Sequence, residues 1–110
     1  MEKEERLLVE AVKLRIELQN QFNNGVDLKS KEYVDNCNKM YSSLMEWAKY
    51  YVIRFIKDNN EEDTIKHRSL YKELLEKNIS SEEGYELIRQ QNKELYDVVL
   101  KKEKELKGDK

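Results

Sequence analysis

The chain contains no proline and only three glycines, Gly25, Gly84 and Gly108. Sheet folds turn often and use these residues to do it, so their near absence restricts the chain to long helices. The apolar residues agree, recurring at spacings of three and four rather than two. Charged residues reach 40% but are balanced, 23 acidic against 21 basic. With periodic apolar positions between them, such charges describe the solvated faces of amphipathic helices rather than a disordered tract. A chain of 110 residues makes one domain, residues 1–110, and buries roughly 65% of its unfolded surface, enough for a core without disulfide staples.

Four helices are expected. The first spans 2–23, with Leu7, Ala11, Leu14, Leu18 and Phe22 on one face. Val9, Val12 and Ile16 form a second stripe, rotated from the first by roughly 150° at about 100° per residue. Two stripes predict a helix contacted from both sides. Asn23, Asn24 and Gly25 then stop it. The second helix, capped by Asp27 or Ser30, covers 30–58. Asn60 with Asp63 opens a third helix over 61–77, carrying Leu70, Tyr71, Leu74 and Leu75. Ser80 and Glu83 are spaced as a capping box for a fourth over 81–107, although Gly84 stands where a staple residue would be apolar. Short connections make neighbours antiparallel. The expected fold is therefore all-α, a small antiparallel four-helix bundle. A three-helix bundle with segment 61–77 loosely attached is the alternative.

The second helix holds the segment that should lie at the centre, Leu44 to Ile56, with the only tryptophan and only Glu46, Lys49 and Arg54 as charges. Thirteen residues bearing three charges are too short and too polar to span a bilayer. Leu44, Ala48, Tyr51 and Phe55 share one stripe and predict core. Trp47, Tyr50 and Ile53 project at other angles, so other helices must enclose them or a partner must cover them.

Little chemistry fits this composition. The single histidine, His67, and single cysteine, Cys37, would have to supply any nucleophile–base pair across the fold. Cys37 shares an apolar helix side with Tyr33 and Leu44, which predicts an inert thiol. Asp63 and His67, four apart, are the best metal pair, yet a pair falls short of a site and no Glu-x-x-His spacing occurs. No glycine-rich phosphate loop exists. No catalytic, metal-ligating or cofactor-binding residues are assigned, and the chain reads as a non-enzyme without a cofactor. The lone cysteine and the acidic start at Glu2, Glu4 and Glu5, unlike a secretory signal, predict a cytoplasmic setting without a membrane.

Two functions remain. The first is a protein–protein interaction module, of the size of a small regulator, inhibitor or immunity-type protein. It would dock an aromatic helical face built from Trp47, Tyr50, Ile53 and Arg54, residue types favoured at interfaces. Val9, Val12 and Ile16 would bind the same partner or a second copy of the chain. The alternative is a nucleic-acid-binding regulator that reads segments 61–77 and 81–107 as helix-turn-helix, with Arg89 and Lys93 on phosphates. A net charge of −2 and a pI near 5.6 oppose duplex binding.

Overall fold

Serine and asparagine side chains set where the helices begin. In the computed structural model, which describes residues 2–108, Ser30 Oγ accepts from the Tyr33 amide at 3.3 Å and opens a helix over Lys31–Asp58. Ser80 Oγ likewise accepts from the Glu83 amide at 3.2 Å and opens Ser81–Gln91. Each bond satisfies an amide that would otherwise lack a partner at the helix start. The α-helices are α1 (Lys3–Asn23), α2 (Lys31–Asp58), α3 (Ile65–Tyr71), α4 (Ser81–Gln91) and α5 (Lys93–Lys107). No strand occurs among the described residues, so the chain is all-α. Among the described residues no helix is long and apolar enough to cross a membrane.

Two boundaries differ from expectation. The fourth helix is two, because Asn92 leaves the helical conformation (φ −133°, ψ 84°) and caps α5, its Oδ1 accepting from the Leu95 amide at 3.1 Å. The break lets α4 pack on α2 while α5 packs on α1, which one straight rod could not do. The third segment is also not uniform. A 3-10 turn at Glu62–Thr64 leads into α3, which unwinds into a π-helical turn at Lys72–Glu76. The wider turn buries Leu74 and leaves Leu75 outside.

At 28 residues α2 is roughly 42 Å long, close to the 46 Å longest dimension of the molecule. It is the element on which α1, α3 and α4 pack. α1 runs antiparallel to it: Glu4 meets Arg54 at one end, and Phe22 shares a cleft with Tyr33 at the other. α3 and the π turn run back along α2, with His67 beside Phe55 and Leu74 near the level of Met45. The core comprises Leu8, Ala11, Val12 and Leu18 of α1 and Leu44, Trp47, Ala48 and Val52 of α2, closed by Leu70, Leu74, Ile88, Leu95 and Val99.

Candidate partner-binding surface

The residues expected to bind a partner divide into core and surface. Trp47 is 1% exposed and Val12 is fully buried, so both are withdrawn from any partner, contrary to expectation. Trp47 lies among α2's neighbours with Tyr51 tilted against it, ring centroids 5.3 Å apart. Val12 is enclosed because α1 is contacted by α2 and by α5 together. Ile16 packs on the same core, and Val9 is half-buried. The second stripe of α1 is therefore largely covered by the chain itself. No complete face of it is left for a second copy.

Tyr50 and Ile53 lie outside, each 40% exposed. Lys3 Nζ sits 5.2 Å from the Tyr50 ring centroid, a cation–π contact. Arg54 is exposed but engaged. Its Nε and a terminal nitrogen each donate to Glu4, the shorter contacts at 2.9 Å, forming a two-pronged pair. That pair, above all its hydrogen bonds, raises the guanidinium pKa. Arg54 thus joins α1 to α2 and has little left to offer a partner.

Ile53 also borders a groove of about 450 Å³ that periodicity alone did not show. One wall is α2, with Ile53, Ile56 and Lys57. The other is α3 and its π turn, with Arg68, Tyr71, Lys72 and Glu76. Its volume falls within the range of ligand-binding clefts, about 300–1,000 Å³, and its floor is apolar. Sequence signals for it existed in Ile56 and Tyr71. They could not be joined without knowing that α3 runs antiparallel to α2 and widens at Lys72.

A second cleft, about 320 Å³, lies where the C-terminal half of α1 faces the start of α2. Its polar wall is a network around Arg15. The guanidinium donates to the Tyr85 hydroxyl, to Tyr96 Oη at 3.3 Å and to Glu103 Oε2 at 3.3 and 3.4 Å. Burial first, and then the Tyr96 hydroxyl, push the Tyr85 phenol up to about 12. Tyr85 therefore stays neutral, and Glu103 is the counter-charge of Arg15. Cys37 lines this cleft half-buried; burial pushes its thiol pKa up, which makes it a poor nucleophile. Among the described residues no cluster of three metal-ligating side chains occurs.

The surface expected for nucleic acid is acidic. Arg89 pairs with Glu86 at 2.7 Å, and the adjoining cleft is lined by Glu73, Glu82, Glu83 and Glu86. The carboxylates lining this cleft repel phosphate from α4, while Lys93, the other residue expected on phosphate, is exposed at the start of α5.

Comparison with protein-family models, curated proteins and solved structures finds no match, so any function must be read from these residues.

Proposed function

We propose that the chain is a non-enzymatic protein-interaction module, a small regulator or inhibitor that acts by occupying a partner through the outer face of α2. The observation that carries this reading is the placement of Tyr50 and Ile53. Two large side chains, each 40% exposed, lie one helical turn apart, and Ile53 borders an apolar groove. Scattered exposed apolar residues are ordinary on any surface. A groove with an apolar floor and an aromatic residue beside it is the arrangement at which a few residues carry most of a binding energy. Tyr50 and Ile53 form the centre of the proposed contact, and Lys57 and Lys72 its rim. The setting proposed is the cytoplasm.

The test compares the wild-type 110-residue chain, Ile53→Asp and Tyr50→Ala as baits in native lysate, with circular dichroism to verify folding. Surface positions of this kind change stability by about 0.5 kcal/mol or less, so all three should melt alike. Proteins retained by wild type and lost by both variants support the reading. Identical retention by all three removes it. Trp47→Ala is unsuitable here: emptying that site costs about 3–5 kcal/mol, a large part of a small domain's stability.

A further inference from the structure

The groove between α2 and α3 differs in charge from the molecule that carries it. The whole chain is net negative, at −2. The groove is lined by Lys57, Arg68 and Lys72 against one carboxylate, Glu76. Because α3 runs antiparallel to α2, Lys57 and Arg68 share one end, Lys72 lies further along, and Glu76 marks the other end. Lys57 and Lys72 have no carboxylate within 4.0 Å among the described residues, whereas Lys49 and Arg54 on the same helix are paired. Arg68 donates through one terminal nitrogen to the Glu61 backbone carbonyl at 2.6 Å, while the other lies 3.9 Å from the Glu61 carboxylate, whose side chain is 91% exposed; such surface ion pairs contribute about 0–1 kcal/mol. A carboxylate from outside would therefore meet little competition at this end.

The walls define the shape of an occupant. Ile53 and Lys57 are four residues apart on α2, and Arg68, Lys72 and Glu76 repeat at the same interval on the opposite wall. Two helices presenting parallel rows of this kind make a trough into which a third helix packs its own ridge of side chains. The floor of Ile53, Ile56 and Tyr71 takes apolar residues, and the cationic rim selects the flanks.

We infer that this groove binds an amphipathic helix of a protein partner, one whose apolar ridge is flanked by Asp or Glu. Its apolar residues cover Ile53, Ile56 and Tyr71, and its carboxylates reach Lys57, Arg68 and Lys72. Helix-in-groove recognition of this type reads anchors at positions i, i+3, i+4 and i+7. Charge on the rim sets specificity and association rate more than total affinity. The inference rests on the docking role proposed for α2 and adds the chemistry of the partner.

The test is a selection from a random peptide library displayed on phage, about 16 residues long to span four helical turns, with the 110-residue chain immobilised as target. The expected pool carries aliphatic or aromatic residues at helical spacing with Asp and Glu beside them. Recovery should fall about tenfold or more on Ile53→Asp, whose added charge repels the acidic flanks and spoils the floor. On the double variant Lys57→Glu/Lys72→Glu the selected flanks should change from acidic to basic. A pool lost on Ile53→Asp but neutral or basic in its flanks overturns the charge assignment and leaves docking at α2 intact. A pool indifferent to Ile53→Asp, or no enrichment at all, overturns the groove as a docking site. Sedimentation of the chain alone supplies the remaining outcome. A dimer that Ile53→Asp dissociates would make a second copy the occupant and overturn the inference.

Discussion

His67 shows how a residue that suggests chemistry can be held for packing. It is 2% exposed, with its ring stacked on Phe55 at 3.8 Å between centroids and 12° between planes. The Tyr51 ring flanks the stacked pair, 6.1 Å from Phe55 and 6.2 Å from His67. Neither ring nitrogen has a hydrogen-bond partner among the described residues. Burial lowers the histidine pKa, and the field of Glu94 opposes that only in part. The unfolded chain therefore binds the proton more readily than the folded one. Stability is complete above the unfolded value of about 6.5 and falls as pH drops from there towards the lower folded value. His67→Phe keeps the stack and removes the titration. Urea unfolding at pH 7.5 and pH 5.5 should show a loss of stability on acidification that is smaller in the variant. An equal loss in both would place the acid sensitivity elsewhere.

At the scale of elements, the packing of α4 on α2 depends on the absence of one side chain. Gly84 is buried, and a Cβ there would run into the Sδ and Cε of Met45 and lie 3.2 Å from Leu74 Cδ2. Glycine in a helix forfeits about 1 kcal/mol relative to alanine, so here close approach is obtained against helix propensity. Gly84→Val should destabilise by about 1–3 kcal/mol, the usual range for overpacking. Gly84→Ala pits a smaller overlap against the propensity gain. Combined with Met45→Ala, which clears the obstacle, it should regain close to that full 1 kcal/mol. A double-mutant cycle from urea titrations measures this coupling. Additivity would mean that Met45 yields freely and that Gly84 does not set the spacing.

The same elements show what the sequence made legible. The starts at Ser30 and Ser80, and the turn at Asn60, where Oδ1 accepts from the Asp63 amide at 2.8 Å, follow local rules and were readable. Asn92 is also a favoured capping residue. It was hidden because Ile88, Leu95 and Val99 keep helical spacing across it, so periodicity counted one helix where the chain turns. The need for glycine at position 84 was invisible for a related reason. It comes from Met45, a residue distant in sequence, and no local pattern records it. For the surface, local angles distinguished Trp47, Tyr50 and Ile53 from the main stripe of α2. Which of them would be covered depended on how many neighbours α2 gathers.

For the whole molecule, what must be explained is how the last helix is held to the first. α5 follows a buried cap at Asn92 and lies on α1, where apolar contact comes from Leu95 and Val99. Around these, Lys102 reaches Glu5 at 2.7 Å and Glu103 reaches Arg15 at 3.3 Å. The two ion pairs are not equivalent. The Glu5 side chain is 43% exposed, whereas Arg15 and Glu103 are 15% and 16% exposed. Exposed pairs contribute about 0–1 kcal/mol, so Lys102→Ala should change little. Arg15→Met leaves Glu103 partly buried with only Lys107 near it, at 3.2 Å, and deprives the Tyr85 and Tyr96 hydroxyls of their donor. Breaking a fully buried pair costs about 3–5 kcal/mol; with residual solvent and Lys107 in place, about 1–3 kcal/mol is expected here. Replacing both partners, Arg15→Met with Glu103→Leu, should restore much of that loss, because no unpaired charge then remains. Hydrogen exchange gives the spatial answer. In Arg15→Met, amides of α5 should lose protection before those of α2, with the double variant in between. If α2 and α5 lose protection together, the chain opens as one unit and the Arg15 network is not a separate clasp on its last helix.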